Sequence, residues 1–256
     1  MELKGTNVVV TGGGNGIGRA LARRMAAEGA RMVVNDLDVE AAEEVAGEVG
    51  GVAVTGDVSG AEGTGRLVRA ARAEFGEIDL YCANAGVAPP GGVGASDEAW
   101  AHAWELNVMA HVHAARALLP PWLERGRGHL LVTVSAAGLL TMLGAAAYSA
   151  TKHAALAFAE WLSITYGDRG ITVQALCPQG VRTAMLDRSG TAGSLLLQEE
   201  AIEPEQVADV AVEGLRNGRF LILPHPEVSS YYAARATDPD RWLAGMRKLQ
   251  RRIDEA

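Results

Sequence analysis

Ser135, Tyr148 and Lys152 are the residues whose types and spacing best suit proton transfer. Tyr148 stands thirteen residues after Ser135 and four residues before Lys152, in a stretch of helical composition. On a helix, an i,i+4 pair shares one face with Cβ atoms about 5–6 Å apart, so the ammonium can act electrostatically on the phenol. Any single Tyr-x-x-x-Lys can also be an ordinary part of a packed helix. Together with the serine, the pair predicts an acid/base site.

A tyrosine needs help to act as a base at neutral pH, since its ordinary pKa is about 10. Lowering that pKa to near 7 requires roughly 4 kcal/mol, and one cation within about 4–6 Å typically lowers a pKa by one to three units. Lys152 alone is therefore barely sufficient to lower the tyrosine pKa to near 7. The oxidised nicotinamide ring carries a second positive charge, which is a reason to expect a dinucleotide site upstream.

Composition bounds the fold and the partners. The 256 residues are 48% hydrophobic and 21% charged, which suits one large core. The net charge of -8 argues against a nucleic-acid or an anionic-membrane partner. Cys82 and Cys177 each end an apolar run and are expected to be buried, reduced thiols of a cytoplasmic protein. No apolar run approaches the roughly 20 residues of a membrane span.

Short β-branched runs alternate with Ala/Leu/Glu/Arg-rich stretches of helical length. The predicted strands are 8–11, 32–36, 52–55, 78–83, 130–135, 171–176 and 220–223. The alternation predicts an α/β fold of the doubly wound Rossmann type, with a seven-stranded parallel sheet and helices on both faces. Ligands of such sheets bind at the carboxyl ends of the strands.

The first predicted strand runs into a glycine-rich turn that could hold a pyrophosphate. Its candidate cofactor residues are Gly12, Asn15, Gly16, Ile17 and Gly18. Glycines let backbone amides approach a phosphate, and the following helix N-terminus adds a favourable dipole. The spacing is Gly-x-x-x-Gly-x-Gly rather than G-x-G-x-x-G, and a tight turn that binds nothing is the alternative.

Asp36 closes the second predicted strand, eighteen residues after Gly18. At that place a carboxylate can accept hydrogen bonds from the ribose hydroxyls of adenosine. A 2′-phosphate would meet like charge there, and neither Asn15 nor Leu37 supplies a cation. The residues therefore favour NAD over NADP.

Six motifs in this order resemble the short-chain dehydrogenase/reductase family, in its compact single-domain branch. They are Thr11-Gly12-x-x-x-Gly16-Ile17-Gly18, Asp57-Val58, Asn84-Ala85-Gly86, Asn107, Ser135 and Tyr148-x-x-x-Lys152. The resemblance covers residues 3 to 223 and implies an NAD-dependent oxidoreductase that interconverts a secondary alcohol and a ketone.

The resemblance also implies roles for individual residues. Asp57 and Val58 would meet the adenine ring, and Asn84 and Gly86 would line the riboses. Asn107 would help to hold a water that links Lys152 to solvent. Tyr148 would exchange the proton of the hydroxyl, Ser135 would hydrogen-bond the same oxygen, and Lys152 would lower the tyrosine pKa and hold the nicotinamide ribose.

One turn departs from the family pattern. After the sixth predicted strand the family shows Pro-Gly-x-Val/Ile-x-Thr, whereas this chain has Pro178-Gln179-Gly180-Val181-Arg182-Thr183. Val181 and Thr183 still match the positions expected to meet the nicotinamide carboxamide. The sequence does not determine the backbone path of the turn at Gln179, and Gln179 is a candidate substrate contact.

The substrate is expected to be apolar. Residues 184–200 should form a mobile lid rich in leucine and methionine. Candidate substrate residues are Ala137, Leu140, Gln179, Met185 and Leu186. A hydrophobic secondary alcohol fits such a pocket, although the leucines could merely pack the lid. The six histidines show no metal-ligand spacing, so no metal site is expected.

The predicted dehydrogenase domain comprises residues 1–223, and residues 224–256 form a C-terminal helical extension. Trp242, Met246, Leu249 and Ile253 fall on one face of a helix, which predicts packing on its own or a neighbouring subunit. The resemblance implies a homo-oligomer, either a tetramer or a dimer. Two alternatives keep the fold: a catalytically silent NAD-binding sensor or scaffold, and an epimerase or dehydratase with bound NAD.

Overall fold

A computed structural model describes residues 1–255 and contains one seven-stranded sheet of order β3-β2-β1-β4-β5-β6-β7. All six neighbouring pairs are parallel. The strands are β1 Asn7–Thr11, β2 Arg31–Asn35, β3 Val52–Ala53, β4 Leu80–Ala83, β5 Gly128–Thr133, β6 Ile171–Leu176 and β7 Leu221–Ile222. The predicted sheet is confirmed. Its edge strands β3 and β7 are two residues shorter than predicted, since each has a partner on one side only.

Twelve α-helices connect and cover these strands within the described residues. The first six are α1 Gly16–Ala27, α2 Val39–Glu48, α3 Ala61–Phe75, α4 Asp97–Trp104, α5 Ala110–Arg125 and α6 Ala137–Leu140. The other six are α7 Ala146–Tyr166, α8 Ala184–Asp187, α9 Gly190–Leu197, α10 Pro204–Asn217, α11 Glu227–Thr237 and α12 Pro239–Asp254. A π-helical turn, Glu105–Met109, joins α4 to α5.

The sheet separates two apolar cores. Val9 and Tyr81 point to the core that includes Leu118 of α5 and Leu162 of α7. Val8 and Leu80, their chain neighbours, point to the core built with α1 and α10. Because successive strand residues face opposite sides, both faces of each central strand must be apolar, which explains the continuous β-branched runs of the sequence.

The strand order reverses between β1 and β4, which opens a crevice at their carboxyl ends. Side chains brace this edge. The Thr11 hydroxyl accepts hydrogen bonds from the backbone N–H groups of Asn84 (3.0 Å) and Ala85 (3.1 Å). The Asn84 amide donates to the carbonyls of Thr11 (3.0 Å) and Gly12 (3.2 Å), and its oxygen accepts from Thr133 (3.0 Å). The crevice is therefore rigid at its base.

The C-terminal extension follows β7. It forms two helices, α11 and α12, because Asp238-Pro239 interrupts the helix: Asp238 caps α12 through the backbone N–H of Arg241 (3.0 Å) and Pro239 is its first residue. Within residues 1–255, no helix has the length and apolar character needed to cross a membrane.

Candidate active site

The glycine turn between β1 and α1 lines the crevice with backbone. Gly12 and Gly16 have positive φ angles of +61° and +50°, which only glycine adopts without strain. No side chain among residues 1–255 caps the first turn of α1, whose N-cap is Asn15. Its backbone N–H groups and helix dipole therefore suit a pyrophosphate.

Gly18 is expected to contact the cofactor, but the structure indicates a packing role for it instead. It does not line the crevice, unlike Gly12, Asn15, Gly16 and Ile17. A Cβ at position 18 would lie 1.9 Å from the Gly12 carbonyl oxygen and 2.7 Å from the Asn84 amide nitrogen. Glycine is required here for close packing of α1 against the turn.

Asp36 lines the same crevice just beyond β2. Its carboxylate accepts hydrogen bonds from the backbone N–H groups of Gly14 (2.9 Å) and Asp38 (3.1 Å). These bonds fix the carboxylate beside the glycine turn, while the exposed Leu37 next to it offers no cation. The turn and the carboxylate fit the pyrophosphate and the adenosine ribose of a dinucleotide.

Asp57 and Val58 line the crevice beyond β3, and Gly86, Val181 and Thr183 also line it. The Asp57 carboxylate accepts from the backbone N–H (2.8 Å) and the hydroxyl (2.9 Å) of Ser59. The backbone hydrogen bond from Ser59 is the main reason that the pKa of Asp57 lies below its usual value. Position 57 thus presents a fixed carboxylate to the crevice.

Ser135 follows β5 with a φ of +150°, which is strained for a serine. Its hydroxyl accepts from the backbone N–H of Ala137 (3.1 Å) and donates to the Pro178 carbonyl (3.4 Å), and the Ala136 N–H donates to the same carbonyl (2.8 Å). The loop after β5 is therefore joined to the turn after β6, and the strained backbone aims Ser135 into the cleft beside Tyr148.

Tyr148 and Lys152 lie four residues apart on α7 and line the same cleft as Ser135. Burial raises the pKa of Tyr148, and a hydrogen bond with Ser135 opposes this. In the protein alone, burial thus leaves the pKa of Tyr148 above its ordinary value, and the lowering expected from Lys152 together with a bound nicotinamide stays a prediction. The Lys152 ammonium lies 5.7 Å from the centre of the phenol ring and donates to the Thr133 carbonyl (2.8 Å). Burial also lowers the pKa of Lys152 to about 8, so its ammonium loses a proton more readily than that of an exposed lysine.

Asn107 lies in the π-helical turn rather than on a regular helix, and it does not line the crevice. Its side-chain oxygen accepts from the Val87 N–H (2.9 Å), and its amide donates to the Val87 carbonyl (2.9 Å) and the Thr151 hydroxyl (3.0 Å). The buried side chain thus joins the β4 loop to α7. A Cβ on Gly86 would lie 2.9 Å from the Asn107 side-chain oxygen and 3.4 Å from the Lys152 nitrogen.

His225, which sequence analysis did not single out, determines the turn at Gln179. Its Nδ1 accepts from the Gln179 N–H (3.1 Å), and its Nε2 lies 3.1 Å from the Gly180 carbonyl and donates to it. One neutral tautomer satisfies both bonds. The turn therefore keeps a defined path despite the displaced glycine, and Gln179 lines the cleft.

The crevice widens into a cleft of about 1860 Å³ that runs from the glycine turn past Tyr148. All five candidate substrate residues line it, together with Met142 and Leu196. Sequence analysis missed the contribution of the C-terminal helices, from which Tyr231, Trp242 and Met246 also line the cleft. No group of three or more His, Cys, Asp or Glu residues in 1–255 could hold a metal ion.

His111 on α5 is a buried histidine near Lys152. It is 1% exposed, and neither ring nitrogen has a hydrogen-bond partner among the described residues. Burial, and secondarily the charge of Lys152, lowers its pKa from 6.5 to about 3. The ring is therefore neutral in the folded protein.

We expect this histidine to make the protein acid-labile. As pH falls from 6.5 towards 3, the unfolded chain binds a proton at His111 that the folded chain cannot bind, so stability is lost across this window. Each unit of separation contributes about 1.4 kcal/mol. Urea unfolding of wild type and His111→Leu at several pH values checks this. The variant should lose less stability on acidification, and equal losses would contradict the expectation.

A doubly wound sheet with a glycine turn at its switch point, and a Ser–Tyr–Lys group in the same cleft, defines a dinucleotide-binding oxidoreductase. Residues 6–192 match the short chain dehydrogenase family. The chain is 37% identical to 1-deoxy-11-beta-hydroxypentalenate dehydrogenase of Streptomyces exfoliatus, over 89% of this chain and 86% of that protein. It is 32% identical to epidermal retinol dehydrogenase 2 of Homo sapiens, over 87% and 75% of the two chains.

This chain also resembles a solved structure. A short chain dehydrogenase/reductase from Burkholderia phymatum, in complex with NAD, superposes with a TM-score of 0.86 at 29% identity, covering 94% of this chain and 96% of that one. The chain belongs to the short-chain dehydrogenase/reductase family. It is accordingly an oxidoreductase of the alcohol type that uses a nicotinamide cofactor.

Proposed function

We propose that this protein interconverts a hydrophobic secondary alcohol and its ketone with NAD as the hydride acceptor. The observation that carries the proposal is the position of Ser135, Tyr148 and Lys152, which share one continuous cleft with the glycine turn and Asp36. One end of this cleft suits a dinucleotide and the other suits a small apolar molecule.

The proposed cofactor site uses residues that surround the crevice. They are Gly12, Asn15, Gly16, Ile17, Asp36, Asp57, Val58, Asn84, Gly86, Tyr148, Lys152, Val181 and Thr183, with Gly18 shaping the turn from beneath. A bound oxidised nicotinamide supplies the hydride acceptor and a positive charge beside the phenol. Asp36 supports NAD rather than NADP, because a 2′-phosphate beside this fixed carboxylate would meet like charge.

The chain's own residues then perform the proton chemistry. Tyr148 as phenolate takes the proton of the substrate hydroxyl, and as phenol it returns that proton in the reverse direction. Ser135 hydrogen-bonds the same oxygen and orients it. Lys152 stabilises the phenolate together with the positive charge of the bound nicotinamide. Asn107 is a positioning residue, since its side chain joins the loop of Gly86 to the helix of Tyr148 and Lys152.

Two observations support an apolar alcohol as the substrate. Leu140, Met185, Leu186 and Leu196 line the cleft beyond Tyr148, and the proposed lid of residues 184–200 supplies three of them. The names of the relatives above refer to a hydroxypentalenate and to retinol. Pockets with mostly apolar walls and few polar groups orient apolar ligands.

NADH formation with a panel of secondary alcohols tests the proposal. We expect steady turnover with apolar alcohols and weaker activity with phosphorylated ones. The absorbance of NADH at saturating NAD is the measurement. Tight NADH binding without turnover of any alcohol would overturn the proposal and favour a silent NAD-binding protein.

Cofactor preference is a separate prediction that depends on the charge of Asp36. Wild type should bind NADH roughly a hundredfold more tightly than NADPH, which corresponds to about 2.7 kcal/mol of repulsion. Asp36→Asn keeps an oxygen that can accept from the Gly14 N–H but removes the charge, so it should narrow this ratio at least tenfold. Fluorescence titration with both dinucleotides measures the ratio.

The control for Asp36→Asn is Glu40→Gln, an exposed carboxylate in the first turn of α2 that does not line the cleft. It should leave the ratio unchanged. Equal affinity of the wild type for NADH and NADPH would contradict the assigned role of Asp36.

The proposal includes a cytoplasmic location and a homo-oligomer, either a dimer or a tetramer. Cys82 and Cys177 are free, buried thiols, which suits a reducing compartment. Trp104, Trp161 and Ile164 expose apolar surface on α4 and α7, and the latter two are 53% and 79% exposed. Sedimentation velocity tests the assembly, and a monomer at micromolar concentration would contradict it.

A further inference from the structure

The C-terminal helices form one wall of the substrate cleft. Tyr231 and Thr237 of α11 line it, as do Trp242, Met246 and Leu249 of α12. Tyr148 lines the same cleft from α7. The wall and the proposed acid/base group therefore face one continuous space.

Helix α12 is amphipathic but buries no residue completely. Trp242, Met246 and Leu249 are only half-buried, and they lie on the side that lines the cleft. Leu243, one residue after Trp242, lies outside the cleft lining and is 51% exposed. The apolar face of α12 thus lies against open space, where an apolar ligand would complete its burial.

Helix α11 fixes this wall relative to the catalytic loop. The guanidinium of Arg235 donates to the Leu139 carbonyl and to Nε2 of His153 (3.0 Å). Leu139 precedes Leu140 of the cleft lining, and His153 follows Lys152. The wall is therefore held at a defined place beside the Ser135–Tyr148 end of the cleft.

The size of the cleft indicates a substantial second ligand. Its volume of about 1860 Å³ is nearly twice the upper end of the roughly 300–1,000 Å³ that single-ligand pockets usually span. A dinucleotide at the glycine turn leaves the part between Leu140, the lid and α12 for the substrate. A small alcohol would leave the apolar side chains of this part in contact with water.

We propose that Trp242 and Met246 of α12 are substrate-binding residues that select alcohols with a bulky apolar body. This inference rests on the proposed function, because it concerns the alcohol that Tyr148 acts on. The hydroxyl-bearing carbon lies at Ser135 and Tyr148, and the rest of the molecule extends along the cleft to α12. The C-terminal extension is thereby a specificity element.

Two opposite changes on α12 test the inference. Trp242→Ala removes apolar contact, whereas Gly245→Leu fills the cleft, since a Cβ on Gly245 meets no atom within 4 Å. The substrates are cyclohexanol and the bicyclic alcohol 2-decalol. Each variant should lower kcat/KM for 2-decalol about tenfold or more and change that for cyclohexanol less than about twofold. For Trp242→Ala this is the size expected for one lost apolar side-chain contact.

Leu243→Ala, on the outer face of the same helix, is the matched control and should leave both values unchanged. A binding measurement gives an independent readout: 2-decalone should quench tryptophan fluorescence in wild type, and most of this quenching should disappear in Trp242→Phe. NADH affinity should be unchanged in every variant.

The outcomes separate the two levels of inference. Suppose that wild type turns over both alcohols and the variants change kcat/KM equally for the two, or change neither. That result would overturn the role of α12 and leave the proposed function standing. Quenching by 2-decalone that depends on Trp242, without turnover of any alcohol, would support the binding wall and overturn the proposed function.

Discussion

Tyr148→Phe is expected to abolish turnover while cofactor binding survives. The substitution removes one hydroxyl group and keeps the ring that packs at the cleft, so the fold should be unaffected. Loss of a general acid/base typically lowers kcat by about 10²–10⁴-fold. We expect a value towards the upper end, since no other titratable side chain forms a hydrogen bond with the Ser135 hydroxyl among residues 1–255. Steady-state kinetics and NADH titration measure the two effects.

The pH dependence of the reaction provides a second test of the same group. Because burial raises the pKa of Tyr148, the phenolate needed for oxidation is scarce at neutral pH in the protein alone. In wild type, kcat/KM for oxidation should therefore rise with pH, whereas kcat/KM for reduction, which needs the phenol, should fall at high pH. Any residual activity of Tyr148→Phe should lack this dependence.

Tyr166→Phe is the matched control for Tyr148→Phe. Tyr166 is the last residue of the same helix and does not line the cleft. Its variant should retain wild-type turnover. Activity of Tyr148→Phe within about tenfold of wild type, well short of the loss that removal of a general acid/base produces, would sink the acid/base assignment.

Gly18→Ala is expected to have the next largest effect, through the shape of the cofactor site. The added methyl would lie 1.9 Å from the Gly12 carbonyl oxygen, which is far inside van der Waals contact. The turn cannot easily retreat, because the Asn84 amide holds the carbonyls of both Thr11 and Gly12. We expect at least a hundredfold weaker NADH binding and a loss of about 1–3 kcal/mol in the free energy of unfolding.

Gly47→Ala is the matched control for Gly18→Ala. Gly47 lies in α2, and a Cβ there would meet no atom within 4 Å. Replacement of an exposed helical glycine by alanine should leave NADH binding unchanged and stabilise the protein by about 0.5–1 kcal/mol. Wild-type NADH affinity in Gly18→Ala would show that the turn tolerates the methyl group and would contradict the packing role of Gly18.

The fold could be predicted from the sequence because its signals are local. Continuous β-branched runs such as Val8–Thr11 identify strands buried on both faces, and their alternation with helical stretches fixes a parallel sheet. The i,i+4 spacing of Tyr148 and Lys152 places both on one helix face whatever surrounds them. The glycine turn similarly follows β1 directly in the chain, with Gly12 in the turn and Gly16 and Gly18 in the first turn of α1.

Individual interactions in the site could not be predicted in this way, since they depend on burial. Lys152 and a bound nicotinamide are expected to lower the pKa of Tyr148, whereas burial of the phenol raises it in the protein alone, and burial also lowers the pKa of Lys152 to about 8. Asn107 is expected to help hold a water that links Lys152 to solvent, which stays a prediction, whereas the hydrogen bonds of its side chain with Val87 and Thr151 are seen only in the packed structure. Neither the pKa of Tyr148 nor the hydrogen bonds of Asn107 can be inferred from the spacing of residues in the sequence.

The sequence by itself thus determined the doubly wound sheet, the glycine turn with Asp36, and the helix that carries Tyr148 and Lys152, because each depends on residues close together in the chain. Only the tertiary structure decided what surrounds them. His225 orients the turn at Gln179 from 46 residues away, and Arg235 anchors the C-terminal wall on Leu139 from 96 residues away. Contacts at such separations depend on how the packed layers meet, and no local pattern encodes them.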